Sequence, residues 1–229
     1  ASCPEAVVIS HEGQRLDSAA FAEEKQVLAA FIGTSGYFDD VEYRGPDITV
    51  VDSLRIDLGD RHVDILVNNA GIIRRTPAAD HSDADWDAVM AVNLDAPFLL
   101  TRELGRGMVQ RGHGKVIFMA SVLSFQGGIT VPGYAATKGA VAQLAKAFAN
   151  EWAARGVNVN AVAPGYVATD NTAALQADAE RTAQLMARVP AGRWGTPEEI
   201  AEPVVFLASD AARFVHGTVL AVDGGWLGR

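Results

Sequence analysis

The chain has 229 residues, 49% apolar and 21% charged, which suits one packed domain, or at most two, and excludes a disordered chain. Lys and Arg number 19 against 28 Asp and Glu, a formal net charge of −9 that argues against non-specific nucleic-acid binding. One cysteine, Cys3, excludes an internal disulfide framework and a cysteine-built metal site, and no apolar run reaches the roughly 18 residues of a membrane span.

The opening Ala1-Ser2-Cys3-Pro4-Glu5 lacks the basic-then-apolar pattern of a signal peptide, so a soluble cytoplasmic protein is expected. Residues 6–10 read as a first strand, and residues 18–31 as a helix. Further strands are expected at 48–51, 63–67, 115–119, 157–162 and 218–222, β-branched and apolar on both faces. A long helix is expected over 82–110, opened by Ser82 three residues before Asp85. Another runs over 134–155, with Val141, Leu144, Ala145, Phe148 and Trp152 on one stripe and Gly156 as its stop. A later helix opens at Thr196-Pro197-Glu198-Glu199, with Thr as cap, Pro at the first helical position and Glu three residues on. Pro203 falls inside it and is expected to kink or shift it. Strand and helix alternate, which predicts an α/β single domain built on a doubly wound parallel sheet. Ligands of such sheets bind beyond the carboxyl ends of the strands.

Three strand ends stand out: Asn68-Asn69-Ala70-Gly71, Ala120-Ser121, and Pro164-Gly165-Tyr166-Val167-Ala168-Thr169. Each taken alone reads equally well as an ordinary turn. Tyr134 and Lys138 are four apart on a helix and therefore share a face. A nearby ammonium favours the phenolate, so Lys138 is expected to lower the Tyr134 pKa from about 10. No clustered ligand set suggests a metal, and the five histidines are scattered.

The ordered set Asn93, Ser121, Tyr134, Lys138 resembles the catalytic tetrad of the short-chain dehydrogenase/reductase family, whose fold is Rossmann-like. Asn68-Asn69-Ala70-Gly71 is similar to that family's NNAG motif, and Pro164-Gly165 with Thr169 to the segment against the nicotinamide. The resemblance runs from about Val63 onward. It implies hydride transfer to or from NAD, with NADP not excluded, and a homotetramer. It further implies Tyr134 as the proton-transferring group, Lys138 as its partner and ribose ligand, Ser121 on the reacting oxygen, and Asn93 in a water relay. Asp57, Asn69, Ala70, Gly71, Tyr134, Lys138, Pro164, Gly165, Val167 and Thr169 are the implied cofactor residues.

A narrower resemblance lies in residues 72–75, 119–128, 165–172, 190–195 and 222–227. These resemble the 2-deoxy-D-gluconate 3-dehydrogenase group, also called 2-dehydro-3-deoxy-D-gluconate 5-dehydrogenases, with gluconate 5-dehydrogenases as near competitors. A sugar-acid substrate is implied. Arg74, Arg75 and Arg193 are then candidates for its carboxylate, or else surface charges, because Arg binds carboxylates through two N–H groups. Gln126 and Trp226 complete the candidate substrate set.

The first third departs from the family pattern. After residues 6–10 comes His11-Glu12-Gly13-Gln14-Arg15-Leu16, with a single glycine where a glycine-rich phosphate turn belongs. Ile56-Asp57-Leu58-Gly59-Asp60 resembles the segment by the adenine, yet only Arg61 and His62 separate it from the next strand. Parallel strands need about ten or more connecting residues, so either the topology differs there or residues are missing. Residues 1–62 thus form an atypical cofactor half, and residues 63–229 a catalytic half. The alternatives to a working dehydrogenase are a relative that has lost dinucleotide binding, and one that uses a Ser–Tyr pair without redox chemistry.

Overall fold

The structure, a computed structural model, describes residues 63–169 and 172–229 in full, and residues 9–11 and 48–50 by their backbone. Asp57, the absent glycine turn, the predicted helix at 18–31 and the short connection after Asp60 lie outside the described residues.

Six strands follow in chain order: β1 (Ile9–His11), β2 (Ile48–Val50), β3 (Ile65–Asn68), β4 (Gly114–Met119), β5 (Val157–Pro164) and β6 (Val219–Val222). The last four form one parallel sheet in the order β3-β4-β5-β6. β1 and β2 pair with each other in parallel as a separate two-stranded sheet.

The main helices are α1 (Asp83–Met90), α2 (Ala96–Arg111), α3 (Pro132–Trp152), α4 (Ala173–Ala177), α5 (Ala179–Met186) and α6 (Pro197–Ala208). Strand alternation sorts the core onto two faces. Val116, Phe118, Val157, Val159, Ala161 and Ala163 turn to one side, where Met108 of α2 and Val141, Ala145 and Ala149 of α3 cover them. The predicted α3 stripe is all there: Leu144, Phe148 and Trp152 also pack on this cluster. On the opposite face Ile117, Met119 and Val162 meet Ile200, Val204 and Leu207 of α6. A sheet covered on both sides needs apolar residues at every position, which is why β4 and β5 read as continuous apolar runs. The exceptions are Lys115 on β4, which donates to Asn158, and two amides on β5. Buried Asn158 and Asn160 on β5 donate to the Val215 carbonyl at 3.0 and 2.9 Å, pinning the loop before β6.

The helix signals act as predicted. Ser82 Oγ accepts from the Asp85 N–H at 3.1 Å. Thr196 and Glu199 form a reciprocal capping box with Pro197 at the first position. Pro203 sits inside α6 without ending it. One feature departs from the predicted pattern. The expected helix over 82–110 is broken by a π-helical turn, Ala91–Asp95, which carries Asn93. All four strands of the main sheet point their carboxyl ends to the same edge, and that edge presents Asn69, Ser121 and Gly165.

Candidate active site

The loop after β3 is held from two sides. Buried Asn68 donates to Thr101 Oγ1 of α2 at 3.0 Å. Asn93, 1% exposed, clamps the backbone of Ile72, accepting from its N–H at 2.8 Å and donating to its carbonyl at 2.9 Å. The Asn93 amide also reaches Thr137 Oγ1 on α3 at 3.4 Å. A π turn widens the helix and re-aims one side chain, and here that side chain joins the glycine loop to α3. The amide of Asn93 thereby ties the Ile72 backbone to Thr137 of α3. Asn69 and Ala70 are exposed at the strand end, and Gly71 lies half-buried beneath them. A Cβ at Gly71 would stand 3.6 Å from Asn93 Oδ1 and 3.7 Å from Lys138 Nζ.

Ser121 ends β4 and caps the 3-10 turn Val122–Ser124, its Oγ accepting from the Leu123 N–H at 3.1 Å. Ser124 accepts from the Ser121 N–H at 3.3 Å and donates to the Lys138 carbonyl at 2.6 Å. This chain of contacts sets the Ser121 turn against α3. Ser124 and Thr137 were not singled out in the sequence; a Ser three residues after a Ser at a strand end is the signal that was there to find.

Tyr134 and Lys138 face the same side of α3, as the spacing predicts. The Lys138 ammonium lies 5.4 Å from the Tyr134 ring centroid and donates to the Met119 carbonyl at 2.6 Å. Burial without a carboxylate partner pulls the Lys138 pKa down from 10.5 to about 8. Burial pushes the Tyr134 phenol up instead, opposed by a hydrogen bond with Ser121 and by the positive charge of Arg75. Burial therefore outweighs the neighbouring charges in setting the direction of the Tyr134 shift, with the Lys138 ammonium close to the ring.

Pro164 ends β5 and Gly165 follows it. A Cβ on Gly165 would meet the Asp223 Cα at 2.6 Å, so only glycine fits against the strand end of β6. Val167 is buried, and Thr169 is exposed with its N–H on Thr172 Oγ1 at 3.1 Å. The structure thus gathers Asn69, Ala70, Gly71, Asn93, Ser121, Tyr134, Lys138, Pro164, Gly165, Val167 and Thr169 on the elements that end at one sheet edge.

The candidate substrate residues divide. Arg74 pairs with Asp85 at 3.3 Å. Arg193 pairs with Glu199 through two N–H groups, at 2.8 and 2.6 Å, and so belongs to the cap of α6. Its carboxylate-binding fork is engaged by Glu199 within the chain. Trp226 is 3% exposed and sits in the core under Tyr166, with ring centroids 4.7 Å apart. It is therefore a support and not a contact surface. Gln126 is half-buried in the loop after the Ser121 turn. Arg75 is exposed, and the neighbouring Thr76 N–H donates to the Thr130 carbonyl at 2.9 Å, four residues before Tyr134. A small cavity beside Tyr166, lined by Arg193, Glu199, Asp223 and others, does not include Ser121, Tyr134 or Lys138.

The sequence profile of the family described as enoyl-(acyl carrier protein) reductase matches residues 18–227. A 2-dehydro-3-deoxy-D-gluconate 5-dehydrogenase of Pseudoalteromonas atlantica is 54% identical over 206 residues, covering 90% of this chain and 80% of the relative. This chain belongs to the short-chain dehydrogenase/reductase family. Another family member, the Escherichia coli enzyme of the same name, is 52% identical over 169 residues, 73% of this chain and 67% of that one. Among solved structures, one described as an NAD(P)-dependent gluconate 5-dehydrogenase of Beutenbergia cavernae, with bound NADP, shares 60% identity. It superposes with a TM-score of 0.73, over 74% of this chain and 68% of the other. A short-chain dehydrogenase/reductase of Agrobacterium tumefaciens, described as a 2-deoxy-D-gluconate 3-dehydrogenase with bound NADP, shares 58% identity at a TM-score of 0.71. It covers 72% of this chain and 68% of its own. The Pseudoalteromonas alignment is longer than the segment after Val63, so likeness to the family reaches into the first third.

Proposed function

We propose that this chain is a dehydrogenase/reductase that interconverts a hydroxyl and a keto group on a sugar acid of the 2-deoxy-D-gluconate or 2-dehydro-3-deoxy-D-gluconate type. The observation that carries this reading is the convergence of Ser121, Tyr134 and Lys138 at the carboxyl edge of the sheet, in a chain 54% identical to a 2-dehydro-3-deoxy-D-gluconate 5-dehydrogenase. NADP is the nicotinamide cofactor favoured over NAD, because two similar structures are described with it bound.

The described residues fit a nicotinamide ribose. Gly71 leaves open the space beside Lys138 Nζ, and Gly165 keeps the β5 end free of a side chain. A nicotinamide held there would supply the hydride acceptor or donor. The chain's own residues manage one proton and one oxygen. Tyr134 takes the substrate hydroxyl proton when the alcohol is oxidised and gives it back when the ketone is reduced. Ser121 donates to the reacting oxygen and stabilises its developing charge. Lys138, anchored on the Met119 carbonyl, supplies a cation near the phenol and a donor toward the ribose. Asn93 holds the glycine loop at the distance this needs.

The same reading includes a homotetramer. Phe98 and Leu99 of α2 are 38% and 43% exposed, and Phe98 stacks on Phe148 of α3 at 6.1 Å, an apolar face suited to a second copy. A gluconate 5-dehydrogenase is the second reading, supported by the 60% identity to the Beutenbergia cavernae protein. The test is oxidation or reduction followed at 340 nm with NADP and NAD, across deoxygluconate, dehydrodeoxygluconate and gluconate substrates. Turnover of a sugar acid is expected. No turnover with any of them, in protein that binds neither cofactor by calorimetry, would refute the proposal.

A further inference from the structure

Several arginines lie in the loops after β3 and α5 and before α6, in a chain of net charge −9. Two of them, Arg74 and Arg193, are already paired with carboxylates of the chain. Arg75, Arg181 and Arg188 have no acidic partner among the described residues, and Arg181 is held by Gln184 at 3.2 Å.

Arg188 is placed with care. It sits in the turn that follows α5, its N–H on the Leu185 carbonyl at 2.9 Å. Leu185 and Val189 on either side are each 4% exposed and anchor the turn in an apolar cluster with Val122 and Trp226. Val122 and Leu123 of this cluster directly follow Ser121, so the Arg188 turn packs against the turn that holds the catalytic serine. The Arg188 guanidinium lies 3.9 Å from the centroid of the Trp226 ring. Stacking of this kind fixes the plane of the guanidinium and leaves its edge N–H groups free, which suits a carboxylate accepted through two bonds. Trp226 in turn meets Tyr166 at 4.7 Å, and the Trp226 turn is fixed by Asp223, which accepts from the Gly225 and Leu227 N–H groups at 2.9 Å.

Arg75 approaches from the other side, off the glycine loop. Its charge acts on both Tyr134 and Tyr166, and Arg181 and Arg188 act on Tyr166 as well. The Arg188 stack thus lies on the Trp226–Tyr166 pair, in the cluster that includes Val122 beside Ser121.

We propose that Arg188, stacked on Trp226, receives the carboxylate of the sugar acid, with Arg75 as the second cation. This rests on the sugar-acid reading above and extends it. Arg188, a turn residue absent from the motifs singled out in the sequence, becomes the residue that distinguishes an acid from the neutral polyol of the same length. The reacting end of the substrate lies toward Ser121 and Tyr134, and its charged end toward Arg188.

The test compares D-gluconate with D-glucitol, which replaces the carboxylate by a hydroxymethyl group. Binding is measured by calorimetry with NADP present, for the parent and for Arg188→Met and Arg188→Lys. Methionine keeps an unbranched apolar stem over Trp226 and removes the fork; lysine keeps the charge and removes the fork. Arg188→Met is expected to weaken gluconate at least about tenfold and leave glucitol unchanged, with Arg188→Lys recovering part of the loss. In turnover KM for the acid rises while kcat holds. Gluconate binding in Arg188→Met within twofold of the parent overturns the assignment, as does a parent that binds glucitol as tightly as gluconate. The two proposals fail separately. A parent that turns over sugar acids with Arg188→Met unaffected removes only the Arg188 assignment. A parent that prefers gluconate through Arg188 and turns over no sugar acid removes only the dehydrogenase reading.

Discussion

Burial acts on Tyr134 and Lys138 in opposite senses, and the pH dependence of the chemistry follows. The phenol is held protonated above its usual range, and Lys138, at about 8, is still mostly charged at neutral pH. The protonated phenol is the form that reduction of a ketone needs, so reduction is expected to run level through neutral pH. Oxidation needs the phenolate, and its kcat/KM is expected to climb with pH, up to roughly tenfold per unit between about pH 7 and 9. Arg75→Met removes a charge that favours the phenolate, and should move this rise to higher pH. A rise at the same pH in that variant would show that Arg75 does not act on Tyr134. Lys138 also carries a stability cost. Its folded pKa lies below its unfolded one, so the folded state holds fewer protons between about pH 8 and 10.5, and stability gains as pH rises through that window. The depression amounts to a penalty on the order of 3 kcal/mol at pH 7. Lys138→Met escapes it. The variant's stability relative to the parent, read by urea unfolding, is expected to be greatest near pH 7 and to shrink by that order toward pH 10.5, even as turnover is lost. A difference that stays flat with pH would contradict the buried, unpaired ammonium.

The elements show what a sequence discloses and what it withholds. Strands β3 to β6 and helices α3 and α6 stand where apolar runs, stripes and caps place them, because those signals are local or periodic. The π turn at Ala91–Asp95 has no such signature; it comes from Asn93 bonding Ile72, twenty-one residues away. Arg193 and Glu199 likewise meet only once the Thr196 cap has folded. That pair makes α6 acid-sensitive. Glu199 is held at about 2, so its contribution is present above its usual 4.5 and is lost as pH falls from there toward 2. Tyr134 and Lys138 were legible from spacing, but the direction of the Tyr134 shift depends on how deeply α3 is packed. Arg188 was not legible at all, since a surface arginine looks the same whether or not a tryptophan lies beneath it. The junctions between elements are equally exacting. Gly112 ends α2 and Gly156 follows α3, both left-handed, at φ 74° and 77°. A Cβ at Gly156 would fall 2.0 Å from the Gly112 carbonyl oxygen. Gly156→Ala must therefore both strain its backbone and push two helix exits apart, and is expected to cost at least about 2 kcal/mol in urea unfolding. A loss below about 0.5 kcal/mol, the size of an ordinary surface change, would mean that the two turns are not packed as described.

At the scale of the whole molecule, the catalytic half and the cofactor half stand on different footing. In the proposed reading, residues 63–229 carry the proton-transfer and substrate groups, on a sheet packed on both faces. The pyrophosphate end of a dinucleotide would have to be met by residues 1–62, whose sequence has a single glycine at the first strand end. Thermal stability separates a chain that binds the dinucleotide from one that has lost it, because a ligand that binds only the folded state stabilises by RT ln(1 + [L]/Kd). At a hundredfold excess over Kd that is about 2.7 kcal/mol, or a Tm rise of roughly 5–10 °C for a domain of this size. NADP is expected to raise Tm by that amount, and NAD by less at the same concentration. NMN, which carries the nicotinamide ribose without the adenine half, isolates the contribution of Gly71, Lys138 and Gly165. A shift with NMN but none added by NADP would mean that the catalytic half is intact and the first third binds no phosphate. No shift with NADP at millimolar concentration would favour the relative that has lost its cofactor. Equal shifts with NAD and NADP would remove the preference for NADP while leaving the dehydrogenase reading in place.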